Sequence, residues 1–203
     1  MVQAAQYLRT NGVPVTLKFS VTKANFAEVE SVCALADDLG ADLAVNALIY
    51  PRIDGNTATT RWRVNQRQLK QLMRKGLITV EAYRCVAGKI KCWIDAAGDV
   101  YPCELLRQLS FGNVKEQRFA SIWYSTALVN FRNQPIPRPT ECMNCRHSSH
   151  CQWCPALAYM EHGSYAVPPL EICRIARTWT QVQEENNTEQ HSDKTQVGLT
   201  VSV

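Results

Sequence analysis

Hydrophobic and polar positions alternate strictly from Val13 to Thr22. Val13, Val15, Leu17, Phe19 and Val21 share one face, and Thr16, Lys18, Ser20 and Thr22 the other, which is the period of a half-buried strand. Before it, residues 3–12 form the end of a helix with Gly12 past its last turn. After it the period lengthens. Phe26, Val29, Val32, Cys33, Ala36 and Leu39 mark a helical stripe ending at Gly40, and Asn25 with Glu28 makes a capping box. Leu43 to Tyr50 is a second strand, stopped by Pro51. Strand, helix and strand on short connections predict a right-handed parallel unit. Asn65 caps a further helix with Leu69, Leu72 and Met73 inward and Gly76 at its end. Cys33 lies within an apolar stripe, so it is a small core residue rather than a reactive one.

Beyond residue 80 the periodicity thins and turn signals multiply. Trp93-Ile94 and Val100-Tyr101 flank Asp95-Ala-Ala-Gly98-Asp99, a hairpin that brings Cys92 back toward Cys103. Residues 117–132 predict one amphipathic helix with Phe119, Ile122, Trp123 and Phe131 inward. Pro135, Pro137 and Pro139 then lead into Cys142-Met-Asn-Cys145-Arg-His-Ser-Ser-His-Cys151-Gln-Trp-Cys154-Pro155. Pro155 stands at the first turn of a helix that ends at Gly163. From Gln181 to Gln196 the chain is polar enough to be expected disordered, and Val197 to Val203 has strand character.

The cysteine run cannot be a packing device, because the residues between its thiols are polar and follow neither period. No signal peptide and no bilayer-length apolar run is present, so a reducing cytoplasmic compartment, metal or redox chemistry and no membrane are expected. Lysine plus arginine number 22 and aspartate plus glutamate 18. The resulting +4 is too mild to call for a nucleic-acid partner. Arg61, Arg63, Arg67, Lys70, Arg74 and Lys75 concentrate the positive charge, chiefly as a solvated helix face, with docking of an acidic peptide as the lesser reading.

Zinc and iron–sulfur clusters both use C-x2-C pairs. Zinc knuckles are usually about 12–20 residues apart, whereas five residues separate Cys145 from Cys151. Of nine cysteines, setting Cys33 aside leaves eight, which is two sets of four, the ligand count of two 4Fe–4S clusters. Spacing and count therefore favour iron–sulfur over zinc. His147, His150 and His162 are spare ligands expected to face solvent.

The spacing Cys85-x12-Gly98-x4-Cys103, then Cys142-x2-Cys145-x5-Cys151-x2-Cys154, then Cys173 resembles the SPASM domain. This is the auxiliary-cluster domain of radical S-adenosylmethionine enzymes that modify peptides. Cys85-Val-Ala-Gly88, Ile94-Asp-Ala-Ala-Gly98-Asp-Val-Tyr-Pro-Cys103, Phe111-Gly-Asn-Val114 and Ser121-Ile-Trp123 support the resemblance, which spans residues 81–180. Most members place three residues between the third and fourth cysteines of the run. Here there are two, as in members that end Cys-Pro-Ala.

The resemblance implies that Cys85, Cys92, Cys103 and Cys154 hold one cluster, and Cys142, Cys145, Cys151 and Cys173 the other. It also implies a peptide or protein substrate and an electron donor. Residues 1–80, more weakly, resemble the last strands of the radical S-adenosylmethionine partial barrel through Gly12-Val-Pro-Val, Thr22-Lys-Ala-Asn25 and Ile49-Tyr-Pro-Arg52. On that resemblance Lys18 and Ser20 face the lumen where S-adenosylmethionine binds, or else line a wetted edge strand.

The expected fold is thus α/β: a β-α-β portion of a partial barrel over 1–80, a small α+β iron–sulfur domain over 81–180, and a polar tail over 181–203. The C-x3-C-x2-C triplet that would hold the cofactor-cleaving cluster does not occur in these 203 residues. The chain is therefore expected to be a fragment of a longer enzyme, unable to cleave S-adenosylmethionine alone. The alternative is a free-standing iron–sulfur electron carrier or scaffold.

Overall fold

The computed structural model describes residues 2–82 and 85–196. The chain is mixed α/β and divides into two compact units. The first takes its described residues from 2–49, 59–80 and 174–196, the second from 50–58, 81–82 and 85–173. The division departs from a boundary at residue 80 in two places: the loop after the second strand groups with the cysteine-bearing unit, and the chain from Arg174 onward groups with the first.

In the first unit, helix α1 (Val2–Thr10) leads into strand β1 (Thr16–Ser20). Helix α2 (Val29–Leu39) connects it to strand β2 (Asp42–Asn46). The strands pair in parallel with Leu17 opposite Leu43 and Phe19 opposite Val45. The alternation read from the sequence is kept, since Thr16, Lys18 and Ser20 are exposed while Leu17 and Phe19 are half-buried. Gly40 closes α2 at φ 58°, a left-handed cap that costs glycine little.

Asn25 does not form the capping box. Its side-chain oxygen accepts from the Thr22 amide at 2.7 Å and from the Thr22 hydroxyl, and its amide donates to the Ser20 carbonyl at 3.1 Å. The helix accordingly starts as a 3-10 turn at Phe26–Glu28. The cap expected at Asn65 does form, and as a full box: its oxygen accepts from the Gln68 amide at 2.9 Å and the Gln68 side chain accepts from the Asn65 amide at 3.0 Å, opening α3 (Gln66–Arg74).

Val21, Val29, Val64, Leu69, Leu72, Met73, Val80 and Val182 close the core of this unit, with Cys33 packed against it. Val182 belongs to the final helix, α7 (Leu170–Gln196). The expectation of disorder over 181–196 is therefore wrong for these described residues. Ile175, Trp179 and Val182 stand at helical spacing and extend one apolar stripe onto the core. Glu185, one turn further, pairs with Lys70 and lies 2.7 Å from Arg74. A polar composition concealed a helix held by one apolar face and one ionic contact. The strand expected over 197–203 lies outside the described residues.

Contacts of this kind engage four of the six cations in the basic segment. Lys70 and Arg74 pair with Glu185, Lys75 pairs with Glu30, and Arg63 donates to the Ile49 carbonyl at 2.9 Å.

The second unit is built on turns. Strands β3 (Trp93–Ile94) and β4 (Val100–Tyr101) form the expected antiparallel hairpin. The Asp95 carboxylate accepts the Ala97 and Asp99 amides at 2.9 and 3.0 Å. Gly98 takes φ 95°, and a Cβ there would stand 2.7 Å from the Asn113 side-chain oxygen. The segment around Gly112 laces onto β4 through Val100 N–H to Gly112 O and Phe111 N–H to Val100 O, both 2.8 Å.

The single helix expected over 117–132 is two: α4 (Phe119–Trp123) and α5 (Thr126–Asn133). Ser125 breaks it by capping the second piece, its hydroxyl accepting from Leu128 N–H at 3.2 Å. Ile122 is inward as expected, but Phe119 is exposed and stacks on Trp123. Helix α6 (Pro155–His162) begins at Pro155 and ends at Gly163, as expected. No helix among the described residues is long and apolar enough to cross a membrane.

Candidate metal centre

The eight cysteines outside the first unit's core all fall in the second unit, and all are half-buried free thiols. The hairpin and the start of α6 position the first group. Cys85 precedes the Ala87–Lys91 bridge, Cys103 follows β4 by two residues, and Cys154 is the residue before α6. These three pack together with Ala87, Leu106 and Ala156. Burial pushes the Cys154 thiol up to about 11, the neighbouring Cys103 and Cys85 add to the rise, and the backbone amides of Leu157 and Ala156 oppose it. Cys103 is raised by burial and, to a lesser degree, by Glu104 and Cys85, against the amides of Leu105 and Leu106.

The second group is local in sequence. Cys142 ends a 3-10 turn, Cys145 donates its amide to the Cys142 carbonyl at 3.4 Å, and Cys151 follows a second 3-10 turn, Ser148–His150. Burial raises Cys142, with Cys151 and Cys145 adding to it and Arg138 opposing. Burial likewise raises Cys151, where the Arg138 guanidinium is the main opposing influence.

The structure thus brings together Cys85, Cys103 and Cys154, and separately Cys142, Cys145 and Cys151. Cys92 sits next to β3 and is raised by burial alone, while Cys173 lies in the first turn of α7 with its amide on the Pro169 carbonyl. Lys18 and Ser20 are exposed in the first unit, on β1.

The histidines do not face solvent as expected. All three are half-buried, His147 accepts from Arg146 at 3.2 Å, and the His162 Nε2 atom is buried 3.9 Å from the Glu161 carboxylate. The neighbouring Glu161 carboxylate accepts the Leu170 amide at 2.6 Å. Nothing in the spacing of the sequence signalled that contact.

The donor set fits an iron–sulfur cluster. Raised thiols stay protonated near neutral pH and ionise only when a metal replaces the proton, so binding is coupled to proton release. A mononuclear site draws its sulfurs to about 2.3 Å from one ion. A cubane spreads its ligands over four corners instead.

A family model described as SPASM, an iron–sulfur cluster-binding domain, matches residues 85–146. The PqqA peptide cyclase of Gluconobacter oxydans is 24% identical over 220 residues, covering 94% of this chain and 60% of its own length. Residues 85–146 thus match the SPASM family, and the chain as a whole is similar to enzymes of the radical S-adenosylmethionine/SPASM group. The chain is also 24% identical to the AdoMet-dependent heme synthase of Methanosarcina barkeri, over 79% of the chain and 56% of that protein. It spans little more than half the length of these two curated relatives. Streptococcus suis SuiB, solved bound to S-adenosylmethionine, shares the fold at TM-score 0.58 and 16% identity, over 85% of this chain and 48% of SuiB.

Proposed function

We propose that this chain supplies the auxiliary-cluster portion of a radical S-adenosylmethionine enzyme that modifies a peptide or protein, and that its second unit holds two 4Fe–4S clusters. The observation that carries the reading is the gathering of six of the eight thiols into two separate triads, {Cys85, Cys103, Cys154} and {Cys142, Cys145, Cys151}. Cys92, at the foot of the hairpin, completes the first quartet, and Cys173, at the start of α7, completes the second. Cys154 and Cys151 are three residues apart yet serve different clusters, because Cys154, at the cap of α6, packs with Cys85 and Cys103 while Cys151 stands with Cys142 and Cys145.

The clusters, when bound, supply one-electron redox chemistry next to the substrate. The protein's own part is to hold eight thiols, shield them from water and release their protons on loading. The β1-α2-β2 unit belongs, on the same reading, to the end of a partial barrel, with Lys18 and Ser20 on its cofactor-facing side. A peptide substrate is favoured over a tetrapyrrole because the match to the peptide cyclase extends over 94% of the chain, against 79% for the heme synthase.

Anaerobic reconstitution tests the reading. About eight irons per chain and a broad absorption near ~400 nm are expected. Stoichiometric zinc in a colourless, folded chain would sink it. The reconstituted chain alone is not expected to produce 5′-deoxyadenosine from S-adenosylmethionine, since it offers no C-x3-C-x2-C triplet.

A further inference from the structure

A cavity of about 490 Å³ opens beside the first thiol triad, within the second unit. Its walls come from segments far apart in sequence and include the rings of Phe131 and Trp153 and the side chain of Ile136. Cys85 lines it, whereas Cys103 and Cys154 do not, so the space lies next to the triad rather than inside it.

Two cations, Lys89 and Arg138, stand in the lining, and no acidic residue among the described ones does. Lys89 is exposed and Arg138 half-buried, and neither forms an ion pair with a carboxylate among the described residues. The basic helix α3 differs, because Lys70 and Arg74 are both engaged by Glu185. Pro135 and Pro137 strip two amide donors from one wall, which leaves the cations as its main means of holding an anion.

An apolar cavity of this size with two cations at its edge, the exposed Lys89 and an Arg138 that also acts on Cys142 and Cys151, suits a carboxylate attached to apolar groups. Resting on the reading of a peptide substrate, we propose that this cavity docks an acidic residue of that peptide together with a flanking apolar or aromatic side chain. The carboxylate meets Lys89 and Arg138, and the flanking side chain packs on Phe131, Ile136 and Trp153. Cys85 in the lining places the docked segment against the cluster-bearing triad.

Titration of the reconstituted full chain with acetyl-Phe-Glu-Phe-amide and acetyl-Phe-Gln-Phe-amide, followed calorimetrically, tests this. The glutamate peptide should bind about tenfold more tightly, a preference that shrinks as salt rises. Lys89→Met should weaken the glutamate peptide about fivefold and leave the glutamine peptide unchanged. Lys89 is exposed and outside the thiol sets, so this variant is expected to fold and load iron normally, and Arg138→Met is a second, less independent probe. Equal affinity for the two peptides, or no effect of Lys89→Met, overturns the proposal. So does 3-phenylpropionate binding as tightly as the peptide, which would assign the cavity to a free organic acid. Iron content of the same samples separates the two readings: clusters without peptide discrimination remove the docking proposal alone, and discrimination without clusters removes the cluster reading alone.

Discussion

The two units reach a fold by different routes. The first is held by side chains that follow a period: a parallel strand pair, α2, α3 and the later part of α7 close over Leu69, Leu72, Val64 and Val182. The second has strands of two residues, short helices and turns, and its cluster at the thiols contains only Ala87, Leu106 and Ala156 as buried members. Elsewhere the unit buries Val100, Ile122, Leu128 and Leu157, and its eight half-buried thiols stand outside any periodic stripe. Burial raises the thiols of Cys92, Cys103, Cys142, Cys151 and Cys154, so without metal those sulfurs are neutral. With metal those positions become bonds that tie the hairpin, the cysteine run and the start of α7 together. The first unit's order should therefore be intrinsic and the second's conditional on metal.

The largest expected break in this contrast comes from removing metal. Oxidative stripping of the reconstituted chain should abolish amide-exchange protection around β3, β4 and α6 while protection in β1, β2 and α3 persists. Equal loss in both units would mean that the first also depends on the clusters. Next in size is Leu69→Ala, which deletes a fully buried side chain from the first unit's core. It should cost about 2–5 kcal/mol of that unit's stability in denaturant titration, with iron content unchanged.

The smallest effect belongs to Glu185, whose carboxyl is held below its ordinary range first by hydrogen bonds from Lys70 and Arg74 and then by their charge. A depressed folded-state pKa stabilises above the ordinary carboxylate pKa and is lost as pH falls through the lower folded value. Glu185→Gln should therefore slightly destabilise the first unit at neutral pH and converge with the unaltered chain in acid. A difference that grew on acidification would contradict the ion pair as its source.

The sequence was most informative where one feature repeats. The alternation Val15, Leu17, Phe19 located β1, and the stripe through Val29 and Ala36 located α2. Asp95 and Gly98 located the hairpin turn, because few residues meet its φ and bonding demands. Cysteine spacing suggested cluster chemistry without any periodicity. Choices between competing local partners were not legible. Asn25 could cap a helix or bond back to Thr22 and Ser20, and only the approach of β1 decides. Ser125 divides a continuous amphipathic pattern, and residues 181–196 are ordered by Val182 and Glu185, each of which needs a distant partner to show its worth. The cavity was invisible for the same reason, since Lys89, Phe131 and Trp153 converge only in the fold.

In the crossed assignment proposed above, Cys154 serves the hairpin's cluster and not that of its near neighbour Cys151. Iron and sulfide counts on two double variants test it most directly. Cys103→Ser/Cys154→Ser removes two ligands from one quartet and should retain about four irons. Cys151→Ser/Cys154→Ser strikes both quartets and should retain almost none. If the second variant keeps about four irons while the first keeps almost none, Cys154 shares a site with Cys151 and the crossed arrangement is wrong.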